Sequence, residues 1–286
     1  MAIGPSVDWS TDLGGGVHIA LIVAGTFQSD AGTLFGPVPR VLWHRLVADE
    51  IDAEGRLGQA LNCLLIETPA GRVLVETGIG ERADAKTMEI RGVRGTPILP
   101  ALRAARVEPG SIDLVALSHL HFDHAGGLLA ADGTRAFPRA RIVAQEEEWR
   151  HALDDNLRLQ ASYEQAELRL AEPWARPGSP DGDVEILPGV SVLRTGGHSG
   201  GHQAILARGP GGTVAFIGDL FMRPWAANPR WVTSFDDYPI TSVDVKARLF
   251  ARAAAEGWTI VLSHEPRVPV GRLVVDGGRY RWQPVG

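Results

Sequence analysis

The stretch Ser118-His119-Leu120-His121-Phe122-Asp123-His124-Ala125-Gly126-Gly127 decides how the rest of the chain is read. Residues 112–117 before it form an apolar run with the length and β-branched content of a buried strand. In an extended segment, side chains two apart point the same way, so His119 and His121 can converge on one ion. Asp123 and His124 then fall where the chain turns, and neighbouring residues at a turn can face a second ion. Imidazole and carboxylate together suit zinc, iron or manganese better than calcium or magnesium. A polar loop that happens to carry histidines is the plain alternative. Three His and one Asp within six residues, directly after a buried strand, argue against it.

The other candidate ligands have the same context. His198 follows a predicted strand in Thr195-Gly196-Gly197-His198-Ser199-Gly200-Gly201-His202, whose glycines permit close backbone approach. Asp219 follows the strand 214–217, and His264 follows the strand 259–262. Each is a polar ligand type at the end of an apolar strand. Strand ends on one sheet edge converge, which is how dispersed residues build one site.

The bulk properties bound the answer. The 286 residues are 44% hydrophobic and 22% charged, ordinary for a globular chain. A net charge of −6 offers no broad basic surface, so no nucleic-acid partner is expected. No run approaches the ~20 apolar residues of a membrane span. Residues 1–5 lack a basic region followed by an apolar run, so no signal peptide is expected. Cys63 is the lone cysteine, which excludes an internal disulfide and a cysteine-based zinc site, and a cytoplasmic location is expected.

Along the chain, a strand is predicted over 17–24, ended by Gly25, with a long loop over 26–39. A hairpin follows over 61–67 and 72–76, turning at Thr68-Pro69-Ala70-Gly71. A short helix spans 96–105 and a strand 141–144. Residues 145–171 have helical periodicity, and 174–183 read as a loop. Strands resume at 184–187, 190–193, 204–207 and 214–217. A second long loop covers 224–239, a helix 243–256 ends at Gly257, and a last hairpin turns at Gly277-Gly278. Two groups of strands, each followed by helical sequence, suggest two similar halves packed as one sandwich. One domain over 1–286 is expected, with a helical insertion at about 145–175.

His-x-His-x-Asp-His, followed by Gly-Gly-His, Gly-Asp and Ser-His at strand ends, resembles the metallo-β-lactamase-fold superfamily of metallohydrolases. The resemblance runs from Val17 to the final strand. It implies an α/β fold: an αββα sandwich of two mixed β-sheets flanked by helices, with a dinuclear site at one edge. It further implies that His119, His121 and His198 hold one metal, that Asp123, His124 and His264 hold the other, and that Asp219 bridges them. The implied cofactors are two divalent ions, zinc first, with iron or manganese as alternatives. The implied nucleophile is a metal-bridging hydroxide, with Asp123 orienting it or shuttling a proton. His202 would support the site without binding metal. Glu76 stands where the family often has Asp.

Within the superfamily, Asp219 argues against a β-lactamase, and His121 against a flavodiiron protein. The chain looks most like the quorum-quenching lactonases and organophosphate hydrolases, including Phe137-Pro138-Arg139-Ala140-Arg141 running into Gln145 and Trp149. It departs from the lactonases at Met222, where they often carry Tyr. The expected activity is hydrolysis of a small ester or lactone, with phosphotriesters as a side activity. A glyoxalase II-like thioester hydrolase or persulfide dioxygenase is the alternative, and a metal-stabilised non-catalytic binding protein the third reading. Phe27, Trp43, Phe221, Met222, Trp225 and Trp231, together with Phe35, are the pocket candidates, implying a small-molecule substrate with an apolar portion. The helical stretch 145–171 could cap the site or pair two subunits as a homodimer.

Overall fold

A computed structural model describes residues 9–175 and 184–285. The reading of residues 1–5 and most of the 174–183 loop lie outside the described residues. The first sheet consists of β1 (Ser10–Asp12), β2 (His18–Asp30), β3 (Arg56–Thr68), β4 (Gly71–Val75), β5 (Leu114–Ala116) and β6 (Arg141–Val143), in that spatial order. The second consists of β7 (Val184–Leu187), β8 (Val190–Arg194), β9 (Gln203–Gly209), β10 (Gly212–Phe216), β11 (Thr259–Val261), β12 (Val270–Asp276) and β13 (Arg279–Pro284), in reverse spatial order from β13 to β7. Both sheets are mixed: β4–β5, β5–β6 and β10–β11 pair parallel, and the remaining pairs are antiparallel.

Strand alternation explains the layers. Leu64, Ile66, Val73, Val75, Leu114 and Ala116 of the first sheet face Val190, Val192, Ile205, Ala207, Val214 and Phe216 of the second. Each of the Leu, Ile, Val and Phe side chains among them contributes about 1.5–3 kcal/mol. The intervening residues point outward. On the first sheet Leu61, Cys63, Leu65, Leu74 and Val115 pack under α4 (Ile98–Ala104) and α6 (Glu146–Ala152). On the second, Leu206, Ala215 and Ile260 pack under α9 (Pro239–Glu256) through Val245, Leu249, Phe250 and Ala253. The αββα sandwich expected from the sequence is present. No helix among the described residues is long and apolar enough to cross a membrane.

Three expectations are corrected. The first strand does not end at Gly25. Gly25 adopts φ 98°, and Ala24 with Gly25 forms a β-bulge opposite Leu61, after which β2 continues to Asp30. The first five residues of the expected loop over 26–39 are therefore strand. The chain continues into α1 (Ala31–Phe35), whose N-terminus is capped by the Asp30 carboxylate accepting from Thr33 N at 3.0 Å. Two further helices, α2 (Arg40–Val47) and α3 (Ala85–Ile90), were not expected; Trp43 and Val47 bury one face of α2.

The second correction concerns 145–171, which breaks into α6, α7 (Leu157–Gln160) and α8 (Gln165–Ala171). Asn156 starts a new helix by accepting from Arg158 N, so the shared periodicity does not mean one continuous rod. Third, α9 begins at Pro239 rather than 243, because proline suits the first helical turn. At its other end Gly257 closes the helix in the left-handed conformation, as expected.

Lys246 on α9 is buried, and its Nζ donates to the Trp231 carbonyl at 2.6 Å. Burial lowers its pKa from 10.5 to about 8, with Asp236 pulling the other way. The unfolded chain therefore holds that proton more tightly, and the penalty on folding is complete below about pH 8 and fades as pH rises to 10.5. Lys246→Met is expected to exceed the wild type in stability by about 2 kcal/mol near neutral pH, after allowing for the lost hydrogen bond. Urea midpoints across that window check this, and an advantage that does not shrink with rising pH contradicts it.

Candidate metal centre

Because β9 runs antiparallel to both its neighbours, β8, β10 and β11 all point the same way. Their C-terminal ends, with those of the parallel strands β4 and β5, lie at one edge of the sandwich. From there His119, His121, Asp123 and His124 extend after β5, His198 after β8, Asp219 after β10, and His264 after β11. α5 (Phe122–Ala125) carries Asp123 and His124 in one tight turn.

Two clusters result. The ligand atoms of His119, His121 and His198 lie within 4.8 Å of one another, and so do those of Asp123, His124, Asp219 and His264. Asp219 serves both. Its Oδ1 is 3.2 Å from His124 Nε2 and 3.1 Å from His264 Nε2, while its Oδ2 is 3.7 Å from His198 Nε2. Asp123 Oδ2 is 3.4 Å from His264 Nε2 and 3.7 Å from His124 Nε2.

The outer ring nitrogens are held by the protein. His264 Nδ1 donates to the Ala60 carbonyl at 2.8 Å, and His198 Nδ1 lies 3.3 Å from Asp236 Oδ1. His119 Nδ1 meets Ser118 Oγ at 3.0 Å, and His124 Nδ1 lies 3.4 Å from Glu76 Oε2. Fixing one nitrogen orients the other inward. The buried Nε2 atoms of His119, His124 and His264 accordingly have no hydrogen-bond partner, despite carboxylate oxygens close to the last two. Buried polar atoms left unpaired are costly, so lone pairs gathered this way fit metal ions. His121 is reversed: its Nδ1 faces His198 Nε2 at 3.2 Å.

Charge follows the same division. Burial, reinforced by neighbouring histidines, pushes His119 and His121 well below the usual imidazole range, so both present neutral rings. His124 is buried too, yet Asp219, Asp123 and Glu76 outweigh that and hold its pKa well above the usual value. Burial tends to raise Asp219, but His264 and His124 keep it well below the carboxylate range. The second cluster thus has surplus negative charge, the condition for holding a cation.

Supporting residues are now identifiable. Glu76 Oε1 accepts from Ser118 N at 2.9 Å, so its carboxylate braces both ends of the histidine stretch. It does so at φ 64°, a strained conformation for a residue with a Cβ. Asp236 lies in the expected loop 224–239 with no ligand motif around it, and sequence reading missed it. It also accepts from Thr233 N at 2.6 Å and Ser242 Oγ at 2.9 Å. His202 lies in neither cluster; its Nδ1 meets Thr195 Oγ1 at 2.6 Å, and burial next to His198 pushes its pKa down to about 3.

A cavity of about 400 Å³ opens onto the clusters, and of the pocket candidates it reaches Phe27 and Met222. Phe27 stands edge-on to His264 with ring centroids 5.4 Å apart. The other aromatic candidates lie elsewhere. Phe35 and Trp43 stack at 4.6 Å in a small core under α1 and α2, and Trp225 and Trp231 pack against Phe35. Phe221 is fully buried beside Phe250 and Trp282. Helix α1, inside the expected loop, and α2, just after it, gather Phe35, Trp43, Trp225 and Trp231, since an apolar helix face must pack against something, while Phe221 belongs to the core under α9. Phe122 and Phe235, not among the candidates, do line the cavity.

Comparison with known proteins agrees with this geometry. An N-acyl homoserine lactonase of Bacillus thuringiensis is 34% identical over 164 residues, 52% of this chain; the chain spans 60% of that relative's length. A solved structure of a probable metal-dependent hydrolase from Staphylococcus aureus superposes with TM-score 0.83 at 26% identity, covering 96% of this chain and 99% of that one. An N-acyl homoserine lactone hydrolase, solved with N-hexanoyl-L-homoserine bound at its catalytic metal centre, superposes with TM-score 0.67 at 25% identity, covering 86% and 92%. The family model of the metallo-beta-lactamase superfamily matches residues 58–264, and the chain belongs to that family.

Proposed function

We propose that the protein is a hydrolase that uses two divalent metal ions, zinc first, to open a small ester or lactone carrying an apolar portion. The observation that carries this reading is Asp219, whose two oxygens are divided between two separate ligand clusters. His119, His121 and His198 would hold one ion, Asp123, His124 and His264 the other, and Asp219 both. Such a pair of ions supplies Lewis acidity and a water activated near neutral pH.

The protein's own groups do the rest. Asp123 is nine-tenths buried on the cavity wall, where its carboxylate is placed to take a proton and return it to the departing oxygen. Phe27, Phe122, Met222 and Phe235 give the cavity apolar walls that hold an acyl or aryl group and exclude water. The named lactonase relatives favour a lactone among the ester class. Met222 offers no hydroxyl beside Asp219, so the carbonyl must be held by other groups than a tyrosine at that position.

Metal analysis with a panel of esters, lactones, phosphotriesters and thioesters tests the proposal. Two ions per chain and fastest turnover on an ester or lactone are expected. Less than one ion per chain with no turnover on the panel rejects it, and iron with oxygen uptake on glutathione persulfide replaces it with dioxygenase chemistry.

A further inference from the structure

Glu148 on α6 is fully buried and has no part in either ligand cluster. Its Oε1 accepts from Leu120 N at 3.0 Å and from the Tyr163 hydroxyl at 3.1 Å. Its Oε2 accepts from Ser199 Oγ at 2.6 Å and Gly201 N at 2.9 Å. Leu120 is the residue between His119 and His121, and Ser199 follows His198. One carboxylate therefore ties together the two chain segments, 119–121 and 198–201, that carry all three members of the three-histidine cluster.

The approach is built into the sequence on both sides. A Cβ on Gly201 would overlap the backbone of Glu148, and one on Gly200 would press on the His151 ring at 3.1 Å. Only glycines let the 196–202 loop lie this close to α6. Tyr163, the fourth donor, also sets its ring against His121 with centroids 4.7 Å apart. The other cluster is braced by different groups: Glu76 at His124, the Ala60 carbonyl at His264, and Ser263 Oγ at Asp219 Oδ1, 3.0 Å away. None of them touches Glu148.

The four donors to Glu148 are neutral groups, two backbone N–H and two hydroxyls, so both of its oxygens are used in holding chain segments in place. The three-histidine cluster beside it offers only imidazoles as ligands, apart from the shared Asp219. We infer that Glu148 is a positioning residue of the three-histidine half, acting on its backbone where Ser118 and Asp236 act on its rings, and that it sets metal affinity there and not in the half that contains Asp123. The inference rests on the reading of the two clusters as metal sites.

Stepwise zinc titration of the metal-free protein, with the visible spectrum of the cobalt-loaded form, tests it. In Glu148→Gln an amide N–H faces donors where a carboxylate oxygen accepted. One binding step is expected to weaken by about 10–100-fold and its cobalt bands to fade, while the other step is unchanged. Two steps as in the wild type, or both weakened alike, overturn the inference. Should Glu148→Gln fail to fold by circular dichroism, Ser199→Ala removes a single donor and must weaken the same one step several-fold; no selective loss there overturns it equally. A wild-type chain that takes up no metal rejects the metal reading itself along with this inference, whereas unselective variants of a chain that binds two ions reject this inference alone.

Discussion

Asp219→Asn is expected to lower kcat/KM by about 10³-fold and to leave the chain with no more than one tightly held ion. The fold loss corresponds to ~4 kcal/mol of transition-state stabilisation. Both oxygens of Asp219 are committed: Oδ1 faces His124 and His264, and Oδ2 faces His198. An amide keeps the volume but surrenders the charge and turns an N–H toward one cluster, where a lone pair is needed. Ser263 Oγ, which donates to Asp219 Oδ1 at 3.0 Å, still orients the side chain, so the fold should persist. Metal analysis after dialysis, kinetics on the best ester or lactone, and a thermal melt of the metal-free protein separate these effects. Two retained ions with turnover near the wild-type rate would remove the bridging role.

Gly126→Ala is expected to destabilise the protein by about 3 kcal/mol or more and to lower its melting temperature by roughly 5 °C or more. A Cβ there would overlap the Ile79 carbonyl, and Gly80 in turn lies against the Gly126 carbonyl. The turn that carries Asp123 and His124 is thus packed backbone to backbone on the turn after β4, which carries Glu76. Neither partner is a flexible side chain that could move aside. Thr77 adds to the contact, accepting from Gly127 N at 3.2 Å and donating to the His124 carbonyl at 2.8 Å. Forcing the turns apart should also displace His124 and loosen metal binding. Gly110→Ala is the control, since a Cβ there meets nothing within 4 Å; a change within about 0.5 kcal/mol is expected. Equal melting temperatures for the two variants would contradict the argument.

The sandwich was legible because its two main signals are local. Short apolar runs bounded by turn residues in 61–67, 72–76, 204–207 and 214–217 mark strands whose two faces bury against different layers, and β3, β4, β9 and β10 form there. Glycines that signalled turns behaved as expected at Gly257 and Gly277-Gly278, all of positive φ. Gly25 misled for a physical reason: positive φ in a strand can make a bulge as well as an end, and only pairing with β3 selects between them. The helices α1 and α2 were missed because they are short and owe their stability to the packing of Phe35, Trp43 and Val47, not to periodicity.

The amino-acid sequence by itself determined the candidate ligand types, their order, and their positions at the ends of apolar strands. Metal-binding chemistry resides in residue identity, and side-chain direction along a strand alternates with period two. What only the tertiary structure decided is the division of labour among these groups. Asp219 comes to lie between two clusters because β10 ends at the same edge as β5, β8 and β11. Glu148, Asp236 and Glu76 become supports because side chains far apart in sequence meet there. Phe27 and Met222 face the cavity while Trp43 and Phe221 are packed away, because burial of an aromatic ring depends on the neighbouring element. Such contacts are long-range, and no local pattern of residues encodes them.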